Sequence, residues 1–103
     1  MVVILFRSRL REDAGPGYQD MAVEMLETAR TMPGFIDYKR FTADDGERLT
    51  VVRWQDEETL RAWREHARHR VAQRMGREQW YAEYHIEVAD IRRSRDWERD
   101  ERR

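Results

Sequence analysis

The sequence predicts an α+β domain of the ferredoxin-like type, in which a four-stranded antiparallel sheet carries two helices on one face in the order βαββαβ. Three observations predict it. Four segments have the apolar pattern of strands, and two longer segments repeat their apolar residues every three or four positions, as helices do. Turn-forming residues separate these segments, most clearly at Gly15-Pro16-Gly17 and at Asp45-Gly46. The length of 103 residues suits one domain and is short for two.

The first strand and the first helix are predicted from an apolar run and an apolar stripe. Residues 2–10 begin with consecutive apolar side chains, which is typical of a central strand covered on both faces. From Tyr18 to about Met32 the apolar residues recur at intervals of three and four, which predicts a helix with one apolar face. Pro33 cannot continue that helix and Gly34 permits the chain to reverse, so the helix is expected to end there.

A hairpin is predicted next. Residues 35–42 alternate as a strand, and residues 47–54 are rich in β-branched and aromatic side chains. The intervening Asp44-Asp45-Gly46 is a strong hairpin signal, because Asp and Gly tolerate the positive φ of tight turns.

The second helix is predicted as one continuous element from Asp56 to about Met75. Asp56 is a suitable N-cap, and the acidic residues that follow it interact favourably with the positive N-terminal end of the helix dipole. Gly76 is the expected C-terminal stop.

The last strand is predicted over Trp80 to Ile91. Strict alternation places Tyr81 and Tyr84 on opposite faces, so at most one of them is expected to line a given cavity. The domain is therefore expected to cover residues 1–92, with a charged and frayed tail at 93–103.

Two helices on one face leave the other face of the sheet without cover. Large apolar side chains such as those of Phe35, Phe41 and Trp80 are expected on that face. An exposed apolar surface of this kind usually marks an interface, and a symmetric homodimer is the simplest way to cover it.

The composition excludes several classes of function. With 20 basic and 21 acidic residues the chain lacks the basic excess of a nucleic-acid or acidic-membrane binder. It has no cysteine, which excludes disulfides, iron–sulfur clusters, zinc–thiolate sites and thiol catalysis. The apolar start is too short for a signal peptide or a membrane span, so the cytoplasm is the expected location.

The candidate site lies on the second predicted helix. On one continuous helix, Trp63 belongs to the core-facing stripe, and His66, His69 and Gln73 form a neighbouring stripe. Either imidazole could remove a phenolic or enolic proton, and Trp63 could stack on a planar ring. The simpler alternatives are a Trp63 that only fills the core and histidines that pair with nearby glutamates in solvent.

Other residues are candidates for supporting roles. Arg70 or Arg7 could stabilise an enolate or a reduced oxygen species, and Tyr84 could support the substrate through its hydroxyl. His66 and His69 could share a metal ion, although no third ligand is identifiable in the sequence.

The sequence resembles the antibiotic biosynthesis monooxygenase (ABM) superfamily. The resemblance rests on Met32-Pro33-Gly34-Phe35, the Asp45-Gly46 turn, Trp54 before an acidic helix start, and Trp63-x-x-His66-x-x-His69, and it covers roughly residues 1–92. It implies a dimeric α+β barrel in which each subunit has a pocket between its helices and its sheet. Members of this superfamily include cofactor-free oxygenases of anthrones and quinols as well as enzymes that degrade haem.

The haem-degrading branch of the superfamily can be compared residue by residue. Its pattern requires an asparagine on the first strand, a tryptophan on the second helix, and an axial histidine about ten residues later. Trp63 matches the tryptophan, but the chain contains no asparagine, and Ala72 and Gln73 occupy the region of the axial ligand. The chain therefore lacks two of the three residues that the haem-degrading pattern requires, the asparagine and the axial histidine.

The function expected from the sequence is that of a cofactor-independent monooxygenase. The resemblance implies a planar aromatic or quinol-like substrate that supplies its own electrons to dioxygen, without metal or flavin. His66 or His69 would act as base, with Arg70 beside it, and Trp63, Gln73, Tyr84 and Arg7 would contact the substrate. A non-catalytic dimer that binds a small hydrophobic ligand is the alternative, and haem binding is a third.

Overall fold

The computed structural model describes residues 1–100, apart from the side chain of Ala67. The four strands are β1 (Val2–Leu10), β2 (Phe35–Thr42), β3 (Arg48–Trp54) and β4 (Tyr81–Asp90). Within that part of the chain the helices are α1 (Tyr18–Arg30), α2 (Glu57–Arg64) and α3 (Ala67–Met75), and one π-helical turn (Gly76–Trp80) leads into β4. No helix among these is long and apolar enough to cross a membrane. Residues 101–103 of the predicted tail lie outside the described residues.

The four strands form one antiparallel sheet in the order β2-β3-β1-β4. The predicted four-stranded sheet and its strands are confirmed, with β1 and β3 in the centre. One face carries the helices, and α1 and α3 are in contact with each other above it. The described helices pack on the face that carries Ile4 and Val52 and leave the opposite face, with Leu5 and Val51, without a helix, as the sequence predicted.

The core lies between the helices and one end of the sheet. Trp54 at the end of β3 is fully buried; its ring stacks on Trp63 at 6.1 Å and meets the edge of Phe35 at 5.6 Å between ring centroids. Phe35 therefore packs on the helix side, and Trp80 is 3% exposed within the turn before β4. The prediction that Phe35 and Trp80 lie on the open face is wrong, whereas Phe41 pairs with Leu49 on that face and is 47% exposed.

The start of α2 follows from local hydrogen bonding. The carboxylate of Asp56 accepts a hydrogen bond from the backbone N–H of Thr59 at 2.8 Å, which confirms the predicted N-cap. The Thr59 hydroxyl lies against Gly34, where an added Cβ would come within 2.4 Å of it. Gly34 has φ +89°, so both the backbone conformation and the close approach of α2 require glycine there.

The second predicted helix is broken into two, which corrects the sequence interpretation. α2 ends at Arg64, and His66 adopts an extended conformation (φ −60°, ψ 135°) as the N-cap of α3. Its Nδ1 accepts a hydrogen bond from the backbone N–H of Arg68 at 3.1 Å. Because the helix axis is interrupted at His66, positions before and after it no longer follow one helical wheel.

The end of α3 also differs from the prediction. Gly76 has an ordinary helical conformation (φ −58°) and begins the π-helical turn, so it is not a left-handed stop. Its function in packing is different: a Cβ at this position would lie 2.6 Å from the ring of Tyr81. Glycine is therefore needed because Tyr81 lies directly against the backbone.

A bulge in β4 corrects the predicted faces of its tyrosines. Ser8 pairs with Tyr84 and Leu10 pairs with Tyr81, so the register shifts between these two pairs. As a result both tyrosine rings contact Phe6, at 5.6 and 5.7 Å between centroids, and lie 5.8 Å from each other. The prediction that they occupy opposite faces is wrong, because one extra residue restores them to the same side.

Candidate functional site

A cavity of about 270 Å³ lies between the helix face of the sheet and α1, α2 and α3. This volume is close to the lower end of small-molecule pockets, which begin at roughly 300 Å³. Most of its walls are apolar, supplied by residues such as Ile4, Phe6, Val52 and Trp63. The polar residues that line it are Tyr38, Thr50, Arg64, His69, Gln73, Arg77, Tyr81 and Tyr84. A largely apolar chamber with a few polar groups suits a small planar molecule.

His69 is the titratable imidazole in the wall of this cavity. Its ring stacks on Trp63 with 4.3 Å between centroids and an interplanar angle of 12°. Its Nδ1 lies 3.2 Å from the backbone carbonyl oxygen of Trp63. A carbonyl can only accept a hydrogen bond, so Nδ1 carries the proton and Nε2 of the neutral ring keeps its lone pair.

The surroundings of His69 favour its neutral form. Burial is the main cause that lowers the pKa of His69 below its ordinary value of 6.5, and the nearby His66 acts in the same direction. The hydrogen bond to the Trp63 carbonyl opposes this effect but does not reverse it. His69 is therefore a neutral base at physiological pH, with its tautomer set by the backbone of α2.

His66 has a different position. It caps α3 through Nδ1, and its ring lies 5.9 Å from that of Trp63 without lining the cavity. The two histidines that the sequence placed in one stripe are therefore separated by the break between the helices. His66 serves the local structure, whereas His69 faces the chamber.

The structure brings together some of the predicted site residues and separates others. Trp63, Gln73 and Tyr84 line the cavity with His69. Arg70 is exposed on α3 and does not line it. Arg7 points to the opposite face of the sheet, where its guanidinium pairs with Glu47 at 3.1 Å. Arg70 and Arg7 are therefore not at the cavity, where the sequence placed them: Arg70 lies after the break between the two helices, and odd-numbered residues of β1 face away from the helices.

Several lining residues are not evident from the sequence. Arg64 and Arg77 supply the positive charge at the cavity that was expected from Arg70 and Arg7. Tyr81 joins Tyr84 because of the bulge in β4, and Tyr38 comes from the edge strand β2. Of these four residues only Tyr38 has a signal in the sequence, namely its position in the alternating pattern of β2. Among residues 1–100, no three His, Cys, Asp or Glu side chains come together as metal ligands.

The fold and the cavity define a class: a ferredoxin-like α+β protein with a largely apolar cavity between its helices and its sheet. Residues 1–75 match the antibiotic biosynthesis monooxygenase family, and the chain belongs to that family. This confirms the resemblance found in the sequence.

Individual relatives agree with this membership. The chain is 32% identical over 88 residues to YqjZ of Bacillus subtilis strain 168, which covers 85% of this chain and 77% of YqjZ. It is 28% identical over 93 residues to the jasmonate monooxygenase ABM of Pyricularia oryzae, covering 88% of this chain but only 43% of that longer protein. Among solved structures, SnoaB of Streptomyces nogalater, a cofactor-independent oxygenase, has a TM-score of 0.74 at 13% identity, covering 90% of this chain and 94% of SnoaB.

Proposed function

We propose that this protein is a cofactor-independent monooxygenase that acts on a planar aromatic or quinol-like compound. The observation that carries the proposal is the state of His69: neutral, stacked on Trp63, and oriented so that Nε2 is the unprotonated nitrogen. The base is thus His69 alone, and not His66. A base positioned in this way contributes about 10²–10⁴-fold to a proton transfer.

The proposed reaction can be written for an anthrone, whose methylene group becomes a carbonyl. Nε2 of His69 removes one methylene proton, and the resulting enolate gives its electrons to dioxygen as a carbon–oxygen bond forms. The peroxide anion takes up the first proton and becomes a hydroperoxide. The second methylene proton then leaves, the oxygen–oxygen bond breaks, and the departing hydroxide combines with a proton to give water. One CH₂ and one O₂ yield one C=O and one H₂O, so no external reductant is needed.

The rest of the cavity supports this chemistry. Trp63 offers an aromatic face beside the base, on which a planar substrate can stack. Arg64 and Arg77 bring positive charge to the lining, which favours an enolate and a reduced oxygen species over their neutral precursors. Gln73 and Tyr84 add hydrogen-bonding groups that can orient the substrate.

The relatives provide independent support for an oxygenase. SnoaB, which has the same fold, is a cofactor-independent oxygenase, and a fungal relative is a jasmonate monooxygenase. These names describe those proteins, and the substrate of this chain is proposed from its own cavity.

We also propose that the protein is a homodimer joined through the open face of its sheet. Leu5 and Val51 face each other at the centre of that face, and the exposed Phe41 lies at its side. Ion pairs such as Arg7–Glu47 and Arg53–Asp37 surround this apolar centre. An apolar middle with a polar rim is the usual composition of a subunit interface.

Oxygen uptake with a panel of anthrones and quinols tests the catalytic proposal. His69→Gln keeps a side-chain donor near the Trp63 carbonyl but removes the base, and turnover should fall by about 100-fold or more. His66→Asn is the matched control, because asparagine is a good N-cap, and it should keep wild-type turnover. Equal turnover of the His69 variant and the wild type contradicts the proposal; ligand binding without oxygen uptake indicates a binding module.

A further inference from the structure

A second cavity of about 140 Å³ adjoins the chamber that contains His69. The two share walls made by Phe6, Tyr38, Thr50 and Tyr81, so they form neighbouring parts of one internal space. The smaller part is bounded by Tyr18 at the start of α1 and by Trp80 in the π-helical turn. It has no part in the proton transfer proposed for His69.

The smaller cavity has apolar side chains in its wall together with several hydrogen-bonding groups. Tyr18, Tyr38 and Tyr81 bring three phenolic side chains, and Trp80 brings an indole whose Nε1 is buried without a hydrogen-bond partner among the described residues. Trp80 is 3% exposed, so water does not readily compensate that missing bond. No Asp or Glu lines this cavity. The phenols can donate or accept, whereas the indole N–H can only donate, so the cavity can complement an occupant that accepts hydrogen bonds.

Tyr81 remains a donor at every physiological pH. Burial raises the pKa of Tyr81 well above the ordinary value of 10.0, and the neighbouring Tyr18 acts in the same direction. The positive charge of Arg48 acts against this rise in the pKa of Tyr81 but does not reverse it. The hydroxyl therefore stays protonated.

Two arginines complete the cluster. Arg40 lines the cavity from β2, and the guanidinium carbon of Arg48 on β3 lies 5.6 Å from the centre of the Tyr18 ring. Five other arginines form ion pairs with carboxylates: Arg7, Arg9, Arg11, Arg53 and Arg68. In residues 1–100 neither Arg40 nor Arg48 has such a partner. The positive charge beside the donors is thus not neutralised within the described chain.

We propose that the smaller cavity binds a carboxylate of the substrate, whose apolar body occupies the main chamber beside His69. The inference rests on the proposed function for the position of that apolar body. A carboxylate has two acceptor oxygens and no donor, and it complements both the phenols and the guanidinium groups. The substrate class is therefore an aromatic or quinol-like acid, held at one end by Arg40, Arg48 and Tyr81 while the reacting carbon lies near His69.

Matched two-ring probes test the proposal by direct binding. Titration calorimetry with 2-naphthoate and with 2-naphthamide compares an anion with a neutral molecule of nearly the same shape. The wild type should bind the anion at least about tenfold more tightly, which corresponds to about 1.4 kcal/mol, because hydrogen bonds to a charged group are stronger than those to a neutral one. Arg40→Gln combined with Arg48→Gln should remove that preference and leave 2-naphthamide binding unchanged.

Two further double variants make the result specific. Arg30→Gln with Arg61→Gln removes the same charge from exposed helix positions, and should keep the preference for the anion. Arg64→Gln with Arg77→Gln removes charge from the other arginines of the main chamber, and should also keep it. Tyr81→Phe, which deletes only the hydroxyl, should weaken naphthoate binding about three- to tenfold, and its melting temperature checks that the fold is retained.

The outcomes separate this inference from the proposed oxygenase activity. Equal binding of both probes by the wild type, or a preference that survives loss of Arg40 and Arg48, overturns the carboxylate site. If the Arg64→Gln, Arg77→Gln variant loses the preference for the anion, the inference is overturned as well, because the carboxylate would then bind at Arg64 and Arg77. None of these binding results depends on oxygen uptake, and a turnover unaffected by His69→Gln contradicts only the base.

Discussion

Trp63 has two contacts with different consequences. On one side its ring stacks on Trp54 in the core, and on the other it stacks on His69 in the cavity wall. Of the two interpretations that the sequence left open, the core residue is confirmed; Trp63 also lines the cavity, and its contact with a substrate stays a prediction. Trp63 is 6% exposed, so its ring is almost fully enclosed by these neighbours.

Truncation of Trp63 should therefore affect stability as well as activity. Trp63→Ala is expected to lower the free energy of unfolding by about 3–5 kcal/mol, as large-to-small changes of buried aromatic residues do. Trp63→Phe keeps a ring beside His69 and should cost less than the alanine variant. Urea unfolding followed by far-ultraviolet circular dichroism measures both. A loss below about 1 kcal/mol for Trp63→Ala would show that the ring is not part of the core.

The lowered pKa of His69 predicts how stability depends on pH. The unfolded chain binds a proton at His69 as the pH falls below its ordinary value of 6.5, whereas the folded protein resists protonation. The unfolded state then holds more protons, so the free energy of unfolding decreases as the pH is lowered from 6.5 towards the folded pKa. His69→Gln should make this decrease shallower. Urea unfolding at several pH values between 7.5 and 5 compares the two proteins; parallel curves would contradict a buried neutral His69.

At the scale of elements, the break between α2 and α3 positions His69, the proposed base. His66 ends the continuity of the helix and caps the next one, which lets the ring of His69 return to the carbonyl of Trp63. His66→Ala removes the capping acceptor and should destabilise the protein by about 0.5–2 kcal/mol, whereas His66→Asn should restore most of that loss. Thermal unfolding at neutral pH measures the difference. Equal melting temperatures for the two variants would show that the cap contributes nothing.

The π-helical turn and the bulge of β4 together position Tyr81. Gly76→Ala would stabilise an ordinary helix by about 1 kcal/mol, but here the added methyl meets the Tyr81 ring at 2.6 Å. We expect a net destabilisation of about 1–3 kcal/mol from overpacking. The same substitution in a Tyr81→Ala background should cost much less. Additive effects in this double-mutant cycle would contradict the close contact.

The sequence predicted the elements better than their junctions. Strand alternation and the Asp56 cap are local signals, and the structure confirms both. The break at His66 is not evident locally, because histidine is an uncommon N-cap. The bulge that places Tyr81 beside Tyr84 depends on pairing between strands that are far apart in the chain. The histidine and the tryptophan of the site were therefore predictable, whereas the arginines and Tyr81 were not.

At the scale of the whole molecule, the sheet divides the chain into two faces with separate roles. The helix face holds both cavities, and the open face carries the apolar pair Leu5 and Val51. If two copies join through the open face, the chambers lie on the outer sides of a central double sheet. Each subunit then keeps its own base, and the assembly has two equivalent sites related by a two-fold axis.

Leu5→Arg tests this assembly. An arginine at the centre of the open face would place an unpaired charge in the proposed interface, which costs far more than a charge on a free surface. We expect the wild type to sediment as a dimer at micromolar concentration and the Leu5 variant to sediment as a monomer that remains folded. Val23→Arg is the matched control, since Val23 is 47% exposed on α1, and that variant should sediment as the wild type does. A monomeric wild type would contradict the proposal, and so would a Leu5 variant that remains a dimer.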